Sequence, residues 1–359
     1  MKILCLHGNN MSGALLAIQT NTFRRLLGGH EHEYVFLDGE IESSCVIGKL
    51  PPDIAGLEEN TTGPYYRWSI GATCQEIKNI HDYVESVIEE EGPFDGVLGF
   101  SQGSSIAASL MLQHEINHPK DPPPFNFAIL FSCFMVVSLD INYAKLEYRF
   151  AYEKYSDVVL KVLKDMDLSK VADEKDDAEF LKEEEFLKAE KAAAEKNERG
   201  ERPEKEKRRK EVKVATNRVE LLRPSRRAAL VAEIFDVIAS SARVGAAYHS
   251  DVLGLLPKDL SGGLEIMPRI YHPLLMSEKI KIPTVHITGR NDPFFKQTNL
   301  AKSLFDKDTT RSIEHSGAHD VPRIDAEIKS AVAAAQWAIQ RSQMAAPRGW
   351  KATLKSLRK

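Results

Sequence analysis

Phe94-Asp95-Gly96-Val97-Leu98-Gly99-Phe100-Ser101-Gln102-Gly103-Ser104 runs from an apolar strand straight into the start of a helix. The strand is expected over 94–100 and the helix over 104–114. Between them lies a Gly-x-Ser-x-Gly turn, Gly99 to Gly103. A turn this sharp leaves no room for large side chains against the neighbouring strand and helix, which is why glycines flank the serine. It lifts the serine hydroxyl above the sheet edge, where a base can reach it. The helix start turns its positive end toward the same place, which suits a developing oxyanion. The pattern points to Ser101 as a nucleophile. The alternative is a structural serine, and the strand-turn-helix context speaks against it.

Strands and helices alternate on both sides of this turn. Residues 2–6 read as a short buried strand, 13–27 as one helix with apolar points at Leu15, Leu16, Phe23, Leu26 and Leu27, and 33–37 as a second strand. Residues 40–68 read as irregular, punctuated by Pro51, Pro52, Gly56, Gly63 and Pro64. An amphipathic helix is expected over 73–90, with Ile77, Ile80, Val84 and Ile88 on one face and Gly92-Pro93 ending it. Residues 125–134 form the next apolar strand. The pattern resumes later with a strand at 282–288, a helix at 296–305, a strand at 310–314 and a helix at 324–339. Such alternation implies an α/β fold with a mostly parallel sheet covered on both faces.

A serine nucleophile needs a base, and the base needs an orienting acid. On an open α/β sheet the order along the chain is Ser, Asp or Glu, then His. Asp292 follows the strand at 282–288 and His319 follows the strand at 310–314, so both fall at carboxyl ends of strands, the rim that carries Ser101. His315 is the rival base but lies nearer its strand. Asp140 and Asp320 are rival acids; adjacency in sequence makes it awkward for Asp320 to reach the ring of His319. The residues favour His319 as base and Asp292 as its orienter. For the oxyanion, one backbone N–H comes from Gln102, directly after the nucleophile. The other is assigned to Asn9, with Asn10 second, in the His7-Gly8-Asn9-Asn10 loop that ends the first strand. His7 itself reads as a satisfied buried imidazole rather than a catalytic group.

The 359 residues carry Lys+Arg 48 against Asp+Glu 52, a formal net charge of -4. That balance is not the footprint of a nucleic-acid binder, and no apolar run is long enough to span a membrane. The apolar run at the N-terminus stops at His7, too short for a signal-peptide core, so a cytoplasmic location is expected. The four cysteines show neither a CxxC pair nor zinc-type spacing. The middle of the chain differs in kind. Residues 161–210 hold 15 Lys/Arg and 16 Asp/Glu, with apolar content too thin for a core of their own. A long solvated helix, partly disordered, is expected there. Residues 217–247 turn amphipathic again and read as a lid packing back on the core.

Leu4-Cys5-Leu6-His7-Gly8, Gly99-Phe100-Ser101-Gln102-Gly103, His286-Ile287-Thr288-Gly289-Arg290-Asn291-Asp292 and Gly317-Ala318-His319-Asp320-Val321-Pro322 together resemble the fungal-type serine hydrolase (FSH) family of α/β-hydrolases. Phe36-Leu37-Asp38-Gly39 and Gly63-Pro64-Tyr65-Tyr66-Arg67-Trp68 are similar to that family's early loop. The resemblance covers an α/β-hydrolase core at 1–140 and 265–340. It leaves residues 141–264 as a charged helical insertion and 341–359 as a basic tail. It implies esterase or thioesterase chemistry, with polyketide or other acyl chains of secondary metabolism as a substrate class. No metal or organic cofactor is required. Tyr65, Tyr66, Trp68, Phe134, Met135, Phe294 and Phe295 fall near the expected rim loops as an apolar acyl pocket, with ordinary core packing as the alternative for each. The insertion offers a surface for a carrier protein or another protein partner. In a second reading the core is a non-catalytic scaffold and the charged insertion recruits that partner.

Overall fold

A computed structural model describes residues 1–43, 64–145 and 268–344. Six strands form one sheet: β1 (Lys2–Leu6), β2 (Glu33–Leu37), β5 (Gly96–Phe100), β6 (Phe127–Phe131), β9 (Thr284–Gly289) and β10 (Thr310–His315). Their order across the sheet is β10-β9-β6-β5-β1-β2, and every adjacent pair is parallel. The chain enters near one side, steps outward to β2, returns to β5 across β1, and then moves steadily to β10. Register aligns the carboxyl ends: Leu6 pairs with Gly99, Phe100 with Phe131, Phe131 with Ile287, and Gly289 with His315. The loops after β1, β5, β9 and β10 therefore open on a common rim.

Strand periodicity sorts the core into two layers. Ile3, Cys5, Leu98, Phe127, Ile129, Val285 and Ile287 face one side. There they meet α1 (Gly13–Gln19), α2 (Asn21–Leu27) and the last helix, α6 (Asp325–Met344). Leu4, Leu6, Val97, Ala128 and Leu130 face the other, against α3 (Cys74–Glu91), α4 (Gln102–Asn117) and α5 (Phe295–Lys302). Both faces being covered, β1, β5 and β6 carry apolar residues almost continuously, while the inner strand β9 also buries Thr284, His286 and Thr288. On α3 a capping box starts the helix: the Thr73 hydroxyl accepts from the Glu76 N–H, and the Glu76 carboxylate accepts from the Thr73 N–H. Its buried face contains Ile77, Ile80, Val84 and Ile88.

Two local expectations are corrected. The single helix at 13–27 is two helices meeting at Thr20, whose backbone (φ -93°, ψ 4°) leaves the helical region and whose hydroxyl donates to the Leu16 carbonyl beside the Thr20 N–H, a back-bond that bends helices. The stretch read as irregular from 40 contains β3 (Ile41–Ser43) and β4 (Tyr65–Arg67), paired antiparallel, with Met11 bridging to Tyr66. Three-residue strands are too short to show a period. Beyond β6, β7 (Val137–Ser138) pairs antiparallel with β8 (Arg269–Ile270), joining chain segments far apart in sequence. The segments expected as a charged insertion, a lid and a basic tail lie largely outside the described residues.

Candidate active site

Ser101 sits between the last residue of β5 and the first of α4, with φ 51° and ψ -117°. That left-handed φ is costly for a residue with a Cβ, and it is held here by backbone contacts on both flanks. A Cβ on Gly99 would stand 2.6 Å from the Ser104 Cα, and one on Gly103 would stand 2.1 Å from the Leu6 carbonyl oxygen. The second contact also presses the turn against the end of β1, where the His7–Asn10 loop begins.

His319 lies between Ser101 and Asp292. Its Nε2 is 2.7 Å from Ser101 Oγ, and its Nδ1 is 2.9 Å from Asp292 Oδ2. A carboxylate can only accept, so Nδ1 carries the proton and the Nε2 lone pair faces the serine hydroxyl. All three residues are buried. The second oxygen of Asp292, Oδ1, accepts from the Phe294 N–H at 2.8 Å. Burial alone would raise the Asp292 carboxyl. The hydrogen bond and charge of His319, joined by the Phe294 N–H, outweigh it and hold the group below the usual carboxylate range. The two loops that bear Asp292 and His319 are laced together. The Arg290 N–H donates to the His315 carbonyl, the Asn291 N–H to the Gly317 carbonyl, and the Asn291 side-chain amide to the Ser316 carbonyl.

The rivals hold other posts. Asp320 accepts from Gln19 at 2.8 Å and from Arg323 Nε at 2.7 Å. Asp140 accepts from the Asn142 N–H in its own turn. His315 uses both ring nitrogens within its own loop. His7 is buried beside the serine turn. Its Nδ1 lies 2.6 Å from the Gly8 carbonyl and its Nε2 accepts from the Gly39 N–H at 2.9 Å. Burial pushes it down to about 4, against the Gly8 hydrogen bond and the Asp38 carboxylate, which pull the other way.

The loop containing Asn9 and Asn10 is strapped at three points: His7 to Gly39, Met11 to Tyr66, and the Gly13 N–H to Asp38 Oδ1 at 2.6 Å. The strap from Asp38 was invisible in the sequence; an Asp-Gly pair after a strand is its only trace. Gln102 adds a side-chain clamp. Its Oε1 accepts from the Trp68 N–H at 3.1 Å and its Nε2 donates to the Ser69 hydroxyl at 3.0 Å.

The aromatic residues fall into separate groups. Phe134 and Phe294 stack with ring centroids 4.5 Å apart, and their centroids lie 6.1 and 5.2 Å from that of His319. Phe100, not singled out from the sequence, approaches the same ring at 5.5 Å. Trp68 lies on the β1 side of the turn, where its indole N–H donates to the His7 carbonyl at 2.9 Å. Tyr65 and Tyr66 are ladder residues of β4. Among the described residues no group of three or more His, Cys, Asp or Glu side chains is arranged to hold a metal ion, and no helix is long and apolar enough to cross a membrane.

A parallel sheet whose carboxyl rim presents a serine elbow, then an acid, then a histidine defines an α/β-hydrolase. Comparison with known proteins narrows that class. The family described as Serine hydrolase (FSH1) matches residues 1–164 and 235–331, and the chain belongs to it. Esterase alnB of Emericella nidulans is 30% identical over 346 residues, covering 95% of this chain and 98% of that protein. Hydrolase FUB4 of Fusarium oxysporum f. sp. lycopersici is 24% identical over 328 residues, covering 91% and 94%. Among solved structures, an esterase from Exiguobacterium antarcticum superposes with a TM-score of 0.39 at 12% identity, covering 94% of this chain and 91% of that one.

Proposed function

We propose that this protein hydrolyses an acyl ester or thioester through a covalent acyl-enzyme. The observation that carries the proposal is the unbroken line from Ser101 Oγ through His319 to Asp292, with steps of 2.7 and 2.9 Å, at the tip of a backbone-strained turn. In this reading His319 Nε2 takes the hydroxyl proton as Ser101 Oγ attacks the substrate carbonyl. The backbone N–H groups of Gln102 and Asn9 stabilise the tetrahedral oxyanion. Collapse of the intermediate expels the alcohol or thiol, to which His319 returns the proton where one is needed. The same base then activates water to release the acid. Asp292 holds the tautomer and stabilises the imidazolium.

Acyl chains, polyketide chains among them, are the substrate class. The resemblance of the motifs to the family and the esterase relatives support it, as does the Phe134–Phe294 pair beside His319. The scaffold reading gains no support from a serine, histidine and carboxylate joined in this way.

The test is intact mass after treatment with a fluorophosphonate, followed by an ester and thioester panel. One adduct on the wild type, none on Ser101→Ala, and loss of turnover by on the order of 10⁴-fold or more in that variant are expected. Full hydrolysis by a clean preparation of Ser101→Ala would sink the proposal.

A further inference from the structure

His315 takes no part in the line of hydrogen bonds from Ser101, yet it is buried at the end of β10, four residues before His319. Its Nδ1 accepts from the Gly317 N–H at 3.2 Å, and its Nε2 lies 3.1 Å from the Asp320 carbonyl oxygen. A carbonyl can only accept, so Nε2 carries the proton. One flat ring thereby bridges the two ends of the turn that holds His319. The outer side of the turn is pinned independently: the Asp320 carboxylate accepts from Gln19, from the Val321 N–H and from Arg323.

We infer that His315 is a positioning residue, a neutral imidazole strut that sets the placement of His319 against Ser101 Oγ. The inference rests on the catalytic reading of Ser101, His319 and Asp292 above. An apolar ring of similar size fills the space but leaves the Gly317 N–H and the Asp320 carbonyl without this partner. Asparagine replaces only the acceptor for Gly317, two residues on, as Asx turns do. Three carboxylates face the ring from the surrounding elements. Glu327 on α6 accepts from the Ser316 N–H at 2.7 Å; Asp320 lies in the same turn, and Asp292 in the β9 loop. Burial outweighs all three and holds His315 below the usual histidine range, so the strut stays neutral. A proton on Nδ1 would set one donor against the Gly317 N–H.

The experiment compares full-length wild type, His315→Phe, His315→Asn and Ser101→Ala on a p-nitrophenyl acyl ester. The expected result for His315→Phe is a kcat at least tenfold lower, KM within about twofold, and slower fluorophosphonate labelling in step with kcat, with partial recovery in His315→Asn. A residue that merely fills space gives no such split and no such rescue. A folded His315→Phe with wild-type kcat, beside an inactive Ser101→Ala, overturns the role of His315 alone. An active Ser101→Ala overturns the catalytic reading and this inference with it. Imidazole ¹⁵N spectra of the wild type at pH 7 cover the case in which His315→Phe does not fold. The Nε2-protonated tautomer is expected for His315, and the opposite tautomer or a charged ring overturns the inference.

Discussion

Ser101 and His319 meet at 2.7 Å, but the segments that bring them there differ in how much of their hold comes from side chains. The serine turn is backbone against backbone: Gly99 on the start of α4, Gly103 on the end of β1, and a left-handed φ at Ser101 between them. Nothing in those contacts can rotate out of the way. The His319 turn also rests on backbone, with Gly289 against the Gly317 and Ala318 carbonyls and main-chain bonds from Arg290 and Asn291, but it adds side-chain bonds from His315, Asp320, Asn291 and Glu327, each to a main-chain group of the turn. A net hydrogen bond is worth about 1 kcal/mol, so the side-chain part of this hold loosens by degrees. Changes at the glycines of the serine turn should therefore appear as loss of fold, and changes among the side-chain bonds of the histidine turn as graded loss of rate.

A matched pair of glycine substitutions tests this difference most severely. A Cβ at Gly103 meets main-chain oxygens of Leu6 at 2.1 Å and His7 at 2.6 Å, whereas a Cβ at Gly317 meets the His315 ring at 2.9 Å. Gly103→Ala is expected to give insoluble or largely unfolded protein, a destabilisation of more than about 4 kcal/mol. Gly317→Ala is expected to fold, to melt within a few degrees of wild type, and to lose activity as its methyl shifts His315. Circular dichroism melts and kcat on the same preparations separate the two. Equal damage in both measurements at both positions would erase the distinction.

Asp292→Asn comes next in size and probes the histidine side alone. An amide can donate to Nδ1, which pushes the imidazole toward the tautomer that cannot accept the serine proton. A fall in kcat of about 10⁴-fold with an unchanged melt is expected. Activity within tenfold of wild type would mean that another carboxylate orients His319.

The two sides also differed in how far the sequence revealed them. The serine turn was readable because its causes are local: a continuous apolar strand, two glycines at fixed offsets and a helix start. Asp292 and His319 were readable through strand ends and chain order, since a parallel sheet places every carboxyl end on one rim. The partners of His7, Asp38, His315 and Asp320 were not readable. Each bonds at least one main-chain group fixed by the fold, and main-chain groups leave no signature in residue identity. The β3–β4 ladder was hidden for a related reason, because three residues cannot display alternation. The break at Thr20 was hidden because it lies in the backbone angles of one residue, while the apolar pattern continues across it.

The smallest effect concerns acid, and it asks whether the serine side has a polar weakness of its own. His7 is a titratable strap there, accepting the Gly39 N–H while burial holds it to about 4 against an ordinary histidine value of 6.5. Above about pH 6.5 neither the folded nor the unfolded chain binds the proton, and the contribution of His7 is intact. Between 6.5 and 4 the unfolded chain binds it and the folded chain does not, so stability falls as pH falls through that window. At pH 5 the loss from this group is about 2 kcal/mol. Gln can accept the Gly39 N–H without titrating. His7→Gln should therefore lower stability somewhat at pH 7 yet show a difference between pH 7 and pH 5 smaller than that of wild type by about the same amount. Urea unfolding at the two pH values measures it. Parallel curves for the two proteins would show that acid sensitivity arises elsewhere, with the buried His81 and His286, also held low by burial, as the groups to examine next.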